Sequence, residues 1–142
     1  MSTYIDTSVM MSLQLRDSAY VTACGIMQTS RDVIWTQWQK IEFGNAMRAR
    51  VWRKDITIAD VQKAEKSIYV SLRAGNLVYY PLPAYALWQE AEALSLAHTT
   101  KLGVRTLDLL HVAAARVLKA TRFVTFDTRQ HALARAAGLK IN

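Results

Sequence analysis

Cysteine, proline, glycine and acidic residues are all scarce in this 142-residue chain. Cys24 is the only cysteine, so no disulfide can close within the chain and no zinc site can be built on several thiolates. Two prolines, five glycines and no low-complexity stretch or repeat leave nothing that reads as a linker. Residues 1–142 are therefore expected to fold as one domain around one core. No apolar run approaches the roughly 18 residues of a membrane span. The start, MSTYIDTSVMMSL, has neither the basic opening nor the small-residue cleavage site of a signal peptide. A reducing, cytoplasmic location without membrane contact is the expectation. What the chain does have is 51% hydrophobic residues, enough for a packed globule rather than a disordered tail. It also carries 18 Lys and Arg against 11 Asp and Glu, a net charge of +7 that favours polyanionic partners such as nucleic acid or an acidic protein segment.

Periodicity predicts alternating strands and helices. A strand at Tyr4–Asp6 leads through a turn region into a helix near Ser18–Gln28. A strand at Val33–Thr36 precedes a long helix from Gln37 to about Lys54. Thr57, with Asp60 three residues on, reads as the capping box of a helix that Gly75 ends. Leu77–Tyr80 reads as a strand, and Pro81 and Pro83 introduce a helix to about Thr99. A helix over Thr106–Ala120, a strand Phe123–Phe126, a helix Thr128–Ala137, then Gly138 and a short apolar end complete the chain. Strands separated by helices imply parallel pairing through right-handed crossovers. The expected fold class is α/β, a three-layer α/β/α sandwich with a central parallel sheet, whose ligands bind beyond the carboxyl ends of the strands.

Of the eleven acids, Asp17, Asp32, Asp55, Asp60, Glu65, Glu90 and Glu92 sit at helix starts, loop edges or polar faces, and read as capping or solvated groups. Asp6 ends the apolar strand TYID, at the carboxyl edge of a strand expected to be central; an Asx-type turn is the competing reading. Glu42 falls on the helical stripe of Trp38, Ile41, Asn45, Ala49 and Trp52, which is read as facing the core. A carboxylate there is costly unless paired or bound to a cation, and Asn45 one turn on is placed to support it. Asp108 opens the helix RTLDLLHVAAARVL, where the helix dipole alone accounts for an acid. Asp127 follows the strand FVTF, with Thr125 pointing the same way two residues earlier; a cap completed by Gln130 explains it equally well. All four would lie at one edge of one sheet. Gathered carboxylates repel unless a cation lies between them, and an all-oxygen set selects Mg²⁺ or Mn²⁺.

Arg48, Arg50, Arg53 and Lys54 crowd the end of the Glu42 helix, as a solvated face suited to the helix dipole or as phosphate contacts for RNA. Phe43, Met47 and Val51 form a second apolar strip on that helix, read as deep burial or a partner surface. His111 is read as a hydrogen-bonded structural histidine, and His98 and His131 as surface residues.

YIDTSV, the Glu42–Asn45 helix, RTLDLLHVAAA and FVTFDTRQHALARAAGL, in that order and spacing, resemble the PIN-domain family across essentially the whole chain, and within it the VapC-type ribonuclease toxins. The resemblance implies a central parallel sheet flanked by helices and a metal-dependent endoribonuclease, using Mg²⁺ or Mn²⁺ and leaving 5′-phosphate and 3′-hydroxyl ends. By the family motif Asp6, Glu42, Asp108 and Asp127 carry over as metal-site acids, with Ser8 and Thr125 as supporting hydroxyls. It further implies a homodimer and an antitoxin protein that occludes the active site. The aromatic stretch IWTQW before the acidic helix and the segment between Met10 and Asp17 depart from the pattern. A phosphatase or mutase of the HAD type needs a second acid two residues after the first, where Ser8 stands, and a receiver domain needs an acidic pair near the first strand. The remaining alternative is a catalytically silent PIN-like module that binds RNA or protein.

Overall fold

The computed structural model describes residues 1–141. Among these, five strands form one parallel sheet in the order β3-β2-β1-β4-β5, from β1 (Thr3–Ile5), β2 (Val33–Trp35), β3 (Val78–Tyr79), β4 (Arg122–Val124) and β5 (Lys140–Ile141). β1 is central, as its apolar run predicts, with Tyr4 opposite Ile34 on one side and Phe123 on the other.

Alternation along these short strands divides the core in two. Tyr4, Ile34 and Phe123 face one way and pack with residues of α5 (Ala84–Leu94), α7 (Thr106–Val117) and α8 (Thr128–Ala136). Ile5, Val33, Trp35 and Val124 face the other way, towards α1 (Thr7–Leu15), α2 (Tyr20–Thr29), α3 (Gln37–Trp52) and α4 (Ile58–Arg73). The result is the expected α/β arrangement of a parallel sheet between two helical layers. Among the described residues, no helix is long and apolar enough to cross a membrane.

Several predicted boundaries hold for the predicted reason. Thr57 and Asp60 cap α4 reciprocally, and Gly75 takes the left-handed φ of +76° just past its end. Gly138, at φ +81°, turns the chain from α8 into β5, so the apolar end is a fifth strand. Other expectations fail. The region after Asp6 is not a turn but α1, because the Asp6 side chain accepts from the backbone N–H of Val9 and starts a helix there. The helix after Pro83 runs past Thr99: a π turn at Ser95–Thr99 continues into α6 (Thr100–Leu102), and Gly103 ends it.

The largest correction concerns α3. The stripe expected to face the core is largely its outer side: Ile41 is 57% and Trp52 84% exposed, and Asn45 is exposed too. Phe43 and Met47, read as a second strip that is either deeply buried or a partner surface, take the first alternative and are buried with Val61, Ala64 and Ile68 of α4. The cause is Gln39. Its side-chain oxygen accepts from Thr36 N at 2.7 Å, completing a capping box. Its amide nitrogen donates to the carbonyls of Ile5 at 2.7 Å and Ile34 at 3.2 Å. Those bonds fix the rotation of α3 about its axis, with Gln39 and Phe43 inward and Glu42 at the margin. A polar residue at a hydrogen-bonded inward position defeats a reading based on apolar spacing alone.

Candidate active site

Each candidate acid sits where the fold delivers a chain segment to the carboxyl edge of the sheet. Asp6 follows β1, with its N–H bonded to Val124 O at 3.0 Å. Glu42 lies in the second turn of α3, which begins just past β2. Asp108 is in the first turn of α7, whose amino end faces this edge because its carboxyl end leads back to β4. Asp127 follows β4 and caps α8.

Asp6 is 5% exposed and saturated with donors. Ser8 Oγ donates to Oδ1 at 2.5 Å, Val9 N to the same oxygen at 3.3 Å, and Thr125 Oγ1 to Oδ2 at 2.9 Å. Burial pushes its carboxyl above the ordinary value against the pull of Ser8, His111, Thr125 and Val9, which all favour the charged form. The two hydroxyls also tie β1 to the next segment: Phe126 N donates to Ser8 Oγ at 3.2 Å and Asp127 N to Thr125 Oγ1 at 2.9 Å. Asp127 in turn accepts from Arg129 N at 2.9 Å and Gln130 N at 3.0 Å. The expected cap with Gln130 is thus present on the backbone side, while Thr125 takes the Asp127 N–H.

Glu42 is half-buried, and its Oε2 is bonded to Thr7 Oγ1 and to His111 Nε2. Burial works to raise Glu42, but the hydrogen bond and charge of His111, helped by Thr7 and Arg105, hold it below its ordinary value. His111 is buried, with Nδ1 2.9 Å from the hydroxyl of the fully buried Tyr4. A bonded, structural histidine is what the sequence suggests; its partner being a candidate site acid is not. Desolvation, reinforced by Asp6 and Glu42, holds the Tyr4 phenol well above its ordinary value, so it stays a neutral donor or acceptor. A chain of bonds therefore runs from the core through Tyr4 and His111 to Glu42.

Asp108, 5% exposed, has a different partner. Arg105 Nε lies 3.1 Å from its Oδ2 and Nη2 3.5 Å from its Oδ1, while the same Nη2 reaches Asp127 Oδ2 at 3.2 Å. The guanidinium therefore bridges the two acids. Among the described residues, no three His, Cys, Asp or Glu side chains converge closely enough, as they stand, to hold one ion. The donor set itself, four carboxylates with hydroxyl support, fits a hard divalent cation.

The remaining candidates lie elsewhere. Asn45 is on the outer side of α3. Arg48 and Arg50 lie about 9 to 12 Å along the helix from Glu42, at 1.5 Å per residue, and Arg53 and Lys54 follow just past its end. Arg48 pairs with Glu65 at 2.7 Å and Arg53 with Asp55 at 3.3 Å. A cavity of about 1080 Å³ opens between α1, α2 and α4, lined by residues including Met10, Tyr20, Met27, Met47 and Lys63; none of the four acids lines it. Sequence reasoning missed Thr7, Arg105 and the Glu42 contact of His111. The i,i+3 spacing of Arg105 and Asp108 was the available signal for one of them.

Residues 3–136 match the PIN domain family. Among solved structures, the chain is similar to the Mycobacterium tuberculosis toxin VapC20, which cleaves the sarcin–ricin loop, with 17% identity, TM-score 0.69, and 96% of this chain and 95% of that one covered. It is similar to a chain of VapBC2 from Rickettsia felis, solved on a DNA fragment from its promoter, with 14% identity, TM-score 0.67, and 100% and 98% covered. A chain of FitAcB from Neisseria gonorrhoeae has 16% identity, TM-score 0.59, and 98% and 95% covered. No curated protein sequence matches. At these identities the structures speak for the fold alone, while the family match spans most of the sequence: the chain belongs to the PIN domain family.

Proposed function

We propose that this chain is a divalent-cation-dependent endoribonuclease and the toxin of a toxin–antitoxin pair. The observation that carries the reading is the joining of Asp6, Glu42, Asp108 and Asp127 at one sheet edge, through Thr125, Thr7, His111 and Arg105, in a protein of net charge +7. Asp6, Asp108 and Asp127 would hold Mg²⁺ or Mn²⁺, with Glu42 as a further ligand, directly or through water. Such an ion lowers the pKa of a bound water and neutralises charge on the phosphate under attack.

The chain's own residues supply the rest. Ser8 and Thr125 donate to Asp6 and leave its carboxylate little freedom to rotate. Thr7 and His111 hold Glu42 in its charged form, as a cation ligand would need to be. Asn45 would touch substrate from the outer side of α3, and Arg48, Arg50, Arg53 and Lys54 would draw RNA by charge at longer range. The expected ends are 5′-phosphate and 3′-hydroxyl.

The named neighbours include VapBC and FitAB assemblies, which supports an antitoxin as partner. Tyr85, Trp88 and Leu96, exposed on and after α5, support a homodimer. A cytoplasmic setting and one domain over the full chain complete the proposal. One observation favours the second reading, a catalytically silent PIN-like module: Arg105 closes on two of the acids.

The test is incubation of the protein with structured RNA, with and without Mg²⁺ or Mn²⁺, beside Asp6→Asn and Asp108→Asn. Cation-dependent cleavage lost in both variants is expected. Equal cleavage by all three proteins would sink the mechanism, and no cleavage with any ion would favour the silent module.

A further inference from the structure

Arg105 opens the block RTLDLLHVAAA, yet the sequence attaches no role to it. Its side chain is 62% exposed, whereas that of Asp108 beneath it is 6% exposed. It therefore lies over the acids from the solvent side, the side from which a cation or a substrate must arrive. It supplies the N-cap position of α7 with an extended backbone, φ −84° and ψ 157°, and its side chain makes no capping bond. Apart from its two carboxylates, none of these observations commits the guanidinium to the fold.

We propose that Arg105 is an exchangeable counter-ion: it neutralises Asp108 and Asp127 in the ion-free protein, yields them to a divalent cation, and then binds a phosphate of the RNA. This rests on the reading of the four acids as cation ligands. Asp108 Oδ2 and Asp127 Oδ2, the oxygens Arg105 engages most closely, are oxygens a cation would need. A divalent ion sits about 2.0–2.6 Å from its oxygen ligands, so it and the guanidinium nitrogens cannot share those lone pairs. Two cations at that range also repel. The Asp108 side chain, 6% exposed, cannot be left without a counter-charge. The guanidinium therefore leaves only as the divalent ion takes its place, while the 62% exposed Arg105 side chain passes into solvent.

Release changes the surroundings of Arg105 but not its charge, since a guanidinium keeps its proton throughout the working pH range. It would then stand at the rim of an ion-loaded site with a planar fork of donors free. That fork matches two phosphate oxygens. The same side chain thus acts as a placeholder before the ion binds and as a phosphate ligand afterwards.

A merely structural Arg105 would organise the acids, and its loss would weaken ion binding. An exchangeable one opposes ion binding, and its loss strengthens it. The test is calorimetric titration of Mn²⁺ into the full chain and into Arg105→Gln, followed by cleavage of one structured RNA at saturating Mn²⁺. Arg105→Gln is expected to bind Mn²⁺ about fivefold tighter. It should nonetheless cleave at least about tenfold more slowly. Unchanged or weaker Mn²⁺ binding by the variant would overturn the exchange while leaving the cation site standing. Tighter binding with undiminished cleavage would overturn the phosphate role. Absence of Mn²⁺ binding from both proteins would remove the underlying site, and the proposal with it.

Discussion

Asp6 and Asp108 are equally buried, yet the fold immobilises one and leaves the other to a single exposed side chain. Asp6 receives three bonds, two from groups on α1 and one from the segment after β4. The hydrogen bonds of Asp108 come from Arg105 alone. Glu42 belongs with the fixed half, through Thr7 and the Tyr4–His111 chain, and Asp127 stands between the halves, capping α8 while also meeting Arg105. The contrast teaches that burial alone does not measure preorganisation. Half of the cluster is held by groups the fold itself fixes, and half by the exposed Arg105 side chain.

The comparison can be broken most severely at His111. Replacing it with Ala removes the histidine from the Tyr4 hydroxyl, opens a void beside Trp38 and leaves Glu42 held by Thr7. Urea unfolding should show a loss of about 3 kcal/mol. A loss below about 1 kcal/mol would mean that the relay is not part of the scaffold. A somewhat smaller effect is expected from Ser8→Ala combined with Thr125→Ala, which strips the hydroxyls from Asp6. Cation-dependent cleavage should fall about 10- to 100-fold with the circular dichroism spectrum retained, the range typical of groups that orient metal ligands.

Asp6→Asn sharpens the comparison through pH. Because burial raises the folded-state pKa of Asp6, the folded protein keeps the proton longer than the unfolded chain does. The ionised group therefore costs stability as pH rises past the ordinary carboxylate value and on through the raised one. Below about pH 4 both states are protonated and the cost disappears. In EDTA the variant should melt higher than the parent at pH 8, and the difference should close towards pH 4. The smallest effect belongs to the basic end of α3. Arg50→Gln with Lys54→Gln should lower kcat/KM about twofold at low ionic strength and leave it unchanged at high salt, as expected of charges that steer rather than touch the substrate.

Much of this architecture is legible in the sequence because short apolar runs alternate with capped helices. The boxed start of α4, the glycine after it and the central placement of TYID all follow from local rules. So do the strand-end positions of Asp6 and Asp127. The rotation of α3 does not, since it is set by Gln39 bonding to carbonyls of two strands distant in sequence. Glu42 was singled out on its place beside tryptophans, yet Trp52 is exposed and the contacts that hold Glu42 come from Thr7 and His111. Asp108 resembled an ordinary first-turn acid because its burial depends on how α7 packs on the sheet. Arg105 carries no signal in the sequence beyond its spacing from Asp108, because its second acid, Asp127 at the start of α8, lies 22 residues away.

If these acids form a divalent-cation site, Mn²⁺ binding itself reports it. Calorimetric or electron-paramagnetic titration should be run on the parent chain and on Asp6→Asn with Asp108→Asn, in the absence of RNA. Saturable binding by the parent is expected, with at least about a 100-fold loss of affinity in the double variant. Equal binding by the two proteins would contradict that site.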